Sequence, residues 1–300
     1  MAKTLHFDTV DDYNAFNNHK TLHPSVGVID FSKAHKRTGH RMVFGIYAVI
    51  LKDVKCGDLK YGRATYDYQE GTLVFISPGQ VLDVENKVDL YQPVGHGLVF
   101  HPDLLRGTSL GNVFDTYSFF GYDTNEALHL SAKERQWVLD CFGKIRSELQ
   151  QRVDKHSKKL IASHVELFLN YCERFYDRQF ITREQVNKGA LERFEQLLNG
   201  YFSSDKPQKH GLPSVAYCAG ELHLSANYFG DLIKKETGKT AQEYIQNKVV
   251  EVAKDKVYES GKSIKEIAFE LGFKYPQHFS RLFKKHVGYT PNEYRAENMN

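Results

Sequence analysis

The pattern of apolar and polar positions changes near residue 100 of this chain. Between residues 26 and 100, short apolar or alternating runs are separated by Gly, Pro, Asn and Asp, which is typical of short antiparallel strands. These runs lie at 26–31, 42–51, 58–68, 71–79 and 97–100, after a short helix that we expect at 9–18. The pattern predicts a small β-barrel or sandwich.

After Pro102 the apolar positions recur at helical spacing. Ser131 opens the capping box S-A-K-E ahead of one apolar stripe, a second helix is expected at 158–176, and a third begins after Thr182. The stripes are typical of a domain core, and the third helix is our candidate for pairing with a second subunit. We therefore expect a helical extension behind the strands.

A segment rich in Ser, Asp, Pro, Lys and Gly follows at 203–213 and predicts an interdomain linker, which we place at 205–212. The expected fold class is α+β. Residues 1–204 would form the barrel with its helices, and residues 213–300 an all-α domain.

Two stretches of that second domain repeat each other. Phe229–Tyr244 reads FGDLIKKETGKTAQEY and Phe279–Tyr294 reads FSRLFKKHVGYTPNEY, so Phe, Leu, Lys-Lys, Gly, Thr, Glu and Tyr recur at an offset of fifty residues. Apolar positions upstream of each stretch also correspond. The repeat predicts two helix-turn-helix units, each a candidate for reading DNA.

Local signals define the helices of these units. In the second copy, Ser263–Glu266 is a capping box, Gly272 suits a left-handed turn and Pro276 suits the first position of the next helix. Between the copies, a further capping box predicts one helix over Thr240–Tyr258, about 28 Å long at ~1.5 Å per residue. That length approaches the roughly 34 Å repeat of the major groove, which favours two reading heads one DNA turn apart.

The side chains predicted to face outward in the second copy suit DNA. Arg281 can bond two acceptors of guanine and Gln277 the donor and acceptor of adenine, whereas Lys284 and Lys285 suit phosphate. The alternative is an ordinary solvated helix face.

The first copy offers fewer contacts. Asn227 is a candidate for a base, Lys234 and Lys235 for phosphate, and Asp231 can accept from cytosine but repels phosphate.

Composition changes this picture little. Three hundred residues suffice for two domains. The net charge is only +3, and the positive surplus lies at 205–300, which contains 15 Lys and Arg and 12 Asp and Glu. No apolar run reaches the ~20 residues of a membrane span, and the N-terminus lacks the apolar core of a secretory signal. The four scattered cysteines suit reduced thiols, so we expect a cytoplasmic protein with no membrane association.

Residues 212–295 resemble the C-terminal DNA-binding domain of the AraC/XylS family of bacterial transcription regulators. The resemblance rests on the run IKEIAFELGFKYPQHFSRLFKKHVGYTPNEYR at 264–295. It implies two helix-turn-helix units bridged by a helix, and binding at promoters. The base-reading positions of the family fall on Gln277, Ser280 and Arg281 and, in the first copy, on Asn227, Gly230 and Asp231, where Gly230 and Asp231 depart from the usual residue types.

Family members often carry a cupin-like barrel in front, which binds a small effector or mediates dimerisation. Gly71–Gly79, followed by Gln80, resembles half of a cupin motif, but the histidine expected after the Pro-Gly turn is absent. We therefore expect no metal and no cofactor. Aromatic strand residues are the candidates for lining a ligand site: Phe44, Tyr47, Tyr66 and Phe75.

The sequence thus predicts a dimeric, sequence-specific transcription regulator, an activator rather than an enzyme, whose partners are promoter DNA, RNA polymerase and a small effector. Two alternatives stay open. One is a cupin-type enzyme with a helical appendix, against which the missing histidine cluster argues. The other is a ligand-independent regulator whose barrel serves dimerisation or contact with polymerase.

Overall fold

The structure, a computed structural model, describes residues 4–52, 59–61, 64–66, 71–84, 90–123, 126–182, 184–259 and 261–298. The chain divides into two compact units, residues 1–182 and 183–300. The first unit contains the described strands and the second is helical, so the predicted mixture of α and β structure is confirmed.

The strands of the first unit form two sheets and a hairpin. Their bounds are β1 Thr4–Phe7, β2 Val26–Asp30, β3 Arg41–Phe44, β4 Tyr47–Lys52, β5 Leu59–Tyr61, β6 Ala64–Tyr66, β7 Thr72–Ile76, β8 Val81–Asp83, β9 His96–Phe100 and β10 Leu128–His129. One sheet has the order β1-β3-β8, the other has the order β10-β7-β4-β9-β2, and β5 pairs with β6. The β1–β3 pair is parallel, and the other pairs between these strands are antiparallel.

The predicted cupin-like barrel is not confirmed, because neither sheet closes on itself within the described strands. The apolar run 42–51, expected as one strand, is interrupted at Gly45 and Ile46 and supplies β3 to one sheet and β4 to the other. Gly45 approaches the preceding chain closely: its N–H donates to Phe7 O at 2.8 Å, and a Cβ there would lie 3.0 Å from the Cα of Asp8. A side chain would not fit this crossing without a shift.

Helices accompany the sheets in the first unit: α1 Val10–Phe16, α2 Ser109–Val113, α3 Ala132–Leu149 and α4 Ser157–Thr182. The predicted capping box of α3 is present, with Ser131 and Glu134 bonding each other's backbone N–H. Phe142 of α3 packs on Phe168 of α4 with ring centroids 5.2 Å apart. These two helices are the predicted extension, and α4 continues beyond the expected end at 176.

The second unit consists of α5 Glu184–Phe202, α6 Lys206–His210, α7 Val215–Glu221, α8 Ala226–Thr237, α9 Ala241–Glu259, α10 Ile264–Glu270, α11 Pro276–Val287 and α12 Pro291–Asn298. In the described part of the chain, no helix is both long and apolar enough to cross a membrane.

The division between the units lies before the predicted boundary at 204, because α5 packs within the second unit. Phe194 of α5 contacts Phe229 at 4.9 Å and Tyr244 at 5.3 Å between ring centroids. The hydroxyl of Tyr244 also bonds the carboxylate of Glu195. The segment 205–212, expected as a linker, holds α6, whose Pro207 is buried.

Candidate nucleic-acid interface

Two helix-turn-helix units lie within residues 183–300, and local capping residues define the starts of their helices. In the first, Ser214 and Ser225 accept hydrogen bonds from the third backbone N–H of α7 and of α8. In the second, Ser263 and Glu266 cap α10 reciprocally, and Pro276 is the first residue of α11. These capping bonds satisfy N–H groups that a helix start leaves without a partner.

In the second helix-turn-helix unit, Gly272 closes the turn between α10 and α11. The segment 201–211, which precedes the repeat, packs against this turn. Gly272 has φ +90°, and a Cβ there would lie 2.7 Å from both the carbonyl carbon of Gly211 and the carbonyl oxygen of Pro207. Gly211 is itself fixed by the hydroxyl of Tyr201, which donates to its carbonyl at 2.8 Å. Residues 201–211 therefore brace the turn of the second helix-turn-helix unit, a contact that no local sequence signal predicts.

The second helix of each helix-turn-helix unit, α8 or α11, has a buried apolar face. In α8, Phe229, Leu232 and Ile233 are at most 2% exposed, and in α11 Phe279 and Phe283 are at most 1% exposed. The ring of Phe283 also packs on Tyr294 of α12 at 5.4 Å. Because these inner positions fix both helices, the opposite faces have a defined orientation.

The outer face of α11 presents the predicted side chains to solvent. Gln277, Arg281, Lys284 and Lys285 are exposed, and Ser280 is partly exposed. Residues three, four and seven positions apart share one face of a helix, so Gln277, Arg281 and Lys284 lie along one stripe. The sequence of α11 contains three Lys and Arg residues and no Asp or Glu, which makes this face positively charged.

The outer face of α8 differs in charge. Asn227, Lys234 and Lys235 are exposed and Asp231 is partly exposed, so the predicted residues again share a surface. The sequence of α8, however, balances two lysines against Asp231 and Glu236. The two helix-turn-helix units thus share a backbone arrangement, but the charges on their outer helix faces differ.

The two lysines of α11 lie near capping glutamates of other helices, Lys285 near Glu243 of α9 and Lys284 near Glu293 of α12. Hydrogen bonds from Thr240 lower the pKa of Glu243 and those from Thr290 lower the pKa of Glu293, in both cases most strongly through the backbone N–H. Lys285 adds to the lowering of the Glu243 pKa, and Lys284 adds to that of Glu293. All these groups are at the surface, so the attractions are weak and screened by salt. Both lysine side chains are exposed and accessible to a further partner.

The bridging helix α9 begins at the predicted capping box, where Thr240 and Glu243 bond each other. Its 19 residues span about 28 Å, which agrees with the length expected from the sequence. A buried stripe runs along it at Ile245, Val249, Ala253 and Val257. Near its end, Nε of Arg295 donates to Val257 O at 3.0 Å and ties α12 to α9.

An aromatic pair at the start of α11 was not singled out from the sequence. Tyr275 is 55% exposed, and its ring meets that of His278 at 5.4 Å. Base edges are contacted by the N-terminal residues of a recognition helix. The pair therefore extends the candidate surface beyond the predicted residues.

The candidate ligand residues lie in the first compact unit, residues 1–182, where they belong to aromatic clusters. Phe44 is buried against Phe7 and Tyr13, at 5.6 and 5.7 Å between ring centroids. Tyr47 and Phe75 both contact Phe120, at 5.2 and 5.4 Å. The side chain of Tyr66 lies outside the described part of the structure. Their role in ligand binding stays a prediction.

The described histidines, cysteines and carboxylates form no group of three or more that could hold a metal ion. Cys141, Cys172 and Cys218 are buried and unpaired, and Cys56 lies outside the described residues. Burial raises the pKa of the Cys141 and Cys218 thiols to about 11.

Comparison with known proteins agrees with this geometry. Residues 218–297 match the family described as a helix-turn-helix domain. The HTH-type transcriptional regulator YtdP of Bacillus subtilis is 38% identical over 127 residues, which cover 42% of this chain and 16% of YtdP. The transcriptional regulatory protein YesN of the same organism is 40% identical over 78 residues, which cover 25% of this chain and 21% of YesN.

Among solved structures, the C-terminal domain of the response regulator yesN from Fusobacterium nucleatum is 26% identical, with a TM-score of 0.32; the match covers 36% of this chain and 98% of that domain. The matched region spans only part of these relatives: 16% of YtdP, 21% of YesN and 53% of the B. subtilis regulator YobQ. The C-terminal region of this chain is an AraC-type helix-turn-helix domain.

Proposed function

We propose that this chain is a sequence-specific transcription regulator that binds promoter DNA through α8 and α11. The observation that carries the proposal is the outer face of α11, which is positively charged, lacks carboxylates and is held in place by the buried rings of Phe279 and Phe283. Phosphate neutralisation supplies much of the affinity for DNA, and a fixed helix in the major groove supplies specificity.

In α11 the roles follow from side-chain chemistry. Arg281 would bond the O6 and N7 acceptors of a guanine, Gln277 the N6 and N7 positions of an adenine, and Ser280 either type of group. Lys284 and Lys285 would contact phosphates and set the position of the helix without reading sequence.

In α8 the same positions would act more weakly. Asn227 would contact a base, Asp231 would accept from the amino group of cytosine, and Lys234 and Lys235 would bind phosphate. Because two carboxylates offset the two lysines of α8, we expect α11 to contribute most of the sequence discrimination. The rigid α9 would set the spacing between the two contacts.

The proposal extends to the first unit and to partners. The first unit would bind a small effector, with Phe44, Tyr47, Tyr66 and Phe75 as the aromatic candidates, or would form a homodimer. The regulator would act in the cytoplasm as an activator in contact with RNA polymerase. Support for these parts comes from the resemblance of the sequence to the AraC/XylS family.

The central experiment selects binding sites from random duplex DNA with the full chain at one fixed salt concentration. Arg281→Ala should lose about 1–3 kcal/mol on the best selected site and should discriminate less between bases at one position. If no site is enriched and the affinity for DNA depends only on salt concentration, sequence-specific recognition is excluded.

Lys284→Ala is the matched variant on the same face. It should weaken binding to all sequences by a similar factor and reduce the slope of log K against log salt by about one. If both variants bind like the parent chain, the outer face of α11 does not contact DNA.

A further inference from the structure

A cavity of about 230 Å³ lies in the first unit beside the edge strand β2. The end of α3 contributes Arg146 and Leu149 to its wall, and the loop after α1 contributes His19 and Lys20. Lys33, just beyond β2, completes the rim. The cavity therefore brings together three segments that are distant in the sequence.

The charge of this cavity has one sign. Lys20, Lys33 and Arg146 line it, and no Asp or Glu is among its lining residues. The carboxylate of Asp30, which follows the lining part of β2, is engaged by Ser32, whose hydroxyl and N–H donate to it at 2.6 and 3.1 Å. Three cations around one concave surface raise the local concentration of anions.

The strand beside the cavity adds backbone donors. β2 is the edge of its sheet and pairs only with β9 among the described strands. Ser25 O accepts from His101 N and Phe31 N donates to Gly95 O, so the residues in alternate register, Val26, Val28 and Asp30, direct their N–H and C=O groups away from β9.

The backbone groups of Asp30 that point away from β9 contact the wall of the cavity. Its outward carbonyl oxygen and amide nitrogen lie 3.0 and 3.2 Å from Nε2 of His19, a residue of the cavity wall. Val28, two residues earlier and also lining the cavity, presents its N–H on the same edge. An anion beside this strand therefore meets a backbone donor as well as the cationic side chains.

The volume of the cavity and its apolar lining restrict the size and chemical class of the ligand it can hold. The cavity lies below the roughly 300–1,000 Å³ of sites for drug-sized molecules, so its ligand is smaller. Leu22, Val28 and Leu149 supply apolar wall beside the charged groups. We propose that this cavity binds a small organic anion, a carboxylate or a phosphate ester, through Arg146, Lys20, Lys33 and the edge of β2. Binding would join α3 to the sheet and stabilise the first unit, whether or not the second unit binds DNA.

The test measures thermal unfolding and calorimetric binding of the full chain without DNA. The probes are citrate, glucuronate and glucose 6-phosphate, with glucose as the neutral control of similar size. We expect at least one anion to raise the melting temperature in a way that weakens with added salt, and glucose to have no effect.

Matched variants assign the effect to the cavity. Arg146→Gln and Lys33→Gln should each weaken binding of the active anion about tenfold, because each removes a charged hydrogen-bond partner. Lys144→Gln on α3 and Lys36→Gln after Lys33 remove exposed cations that do not line the cavity and should bind like the parent. The proposal is overturned if none of the three anions binds, or if all four variants bind alike.

Discussion

Replacement of Gly272 by alanine tests whether the segment before the repeat braces the second helix-turn-helix unit. The new Cβ would lie 2.7 Å from two backbone atoms, the carbon of Gly211 and the oxygen of Pro207. Neither is the end of a flexible side chain, so the turn or the segment 207–211 must move. The backbone at φ +90° adds strain for any residue with a Cβ.

Gly288→Ala is the matched control, because Gly288 also has φ +90° but has no atom within 4 Å of a Cβ built there. Its cost should be the conformational strain alone, about 1–2 kcal/mol of unfolding free energy. Gly272→Ala should cost that amount plus about 1–3 kcal/mol for overpacking, or roughly 2–5 kcal/mol in total. The difference between the two variants isolates the close contact.

Urea unfolding of the full chain, followed by circular dichroism, gives both free energies. Hydrogen exchange should also show faster opening at 207–211 in Gly272→Ala and unchanged exchange there in Gly288→Ala. If the two substitutions cost the same and leave that segment equally protected, the segment does not brace the second turn.

Three further predictions concern the helical unit of residues 183–300. His223 occupies the left-handed position of the first turn at φ +58°, so His223→Gly should be more stable to urea than His223→Val by about 1–2 kcal/mol; equal stabilities would contradict that geometry. Cap hydrogen bonds lower the pKa values of Glu243, Glu266 and Glu293, so their stabilisation is complete above the unfolded pKa and is lost as pH falls through the lower folded pKa values. The urea midpoint should therefore fall between about pH 5 and pH 3, and a variant with all three replaced by Gln should show a flatter profile. A fragment of residues 183–300 should unfold cooperatively, whereas 213–300 should lack a sharp transition, because it loses the contacts of Phe194 and Tyr201; equal transitions would show that α5 is dispensable.

The helix-turn-helix units could be predicted because their signals are local. Ser263 with Glu266, Gly272 and Pro276 each fix a helix start, a turn or a helix end within a few residues, and the structure has all of them where expected. The outward position of Arg281 then follows from the period of the helix and the burial of Phe279 and Phe283.

The sheets were harder to predict because strand pairing depends on residues far apart in the chain. The run 42–51 reads as one continuous strand, and only the crossing with Phe7 and Asp8 explains why Gly45 divides it. β1 and β8 are short and carry weak patterns, yet they flank β3 and form a separate sheet with it. No local signal distinguishes that arrangement from a closed barrel.

The sequence predicts α5 as part of residues 1–204, whereas in the structure it lies in the unit 183–300. The repeat offers a positional signal for this arrangement. In the second copy, α9 packs against α10, α11 and α12, and in the first copy α5 packs against α8 and α9. The fifty-residue offset projects Ala241–Glu259 back onto 191–209, which overlaps α5 and α6. The sequences of these helices do not match, because a supporting helix needs only an apolar stripe, whereas the turn needs particular residues. Each helix-turn-helix unit therefore packs against a helix that precedes it, and α9 contacts helices of both copies.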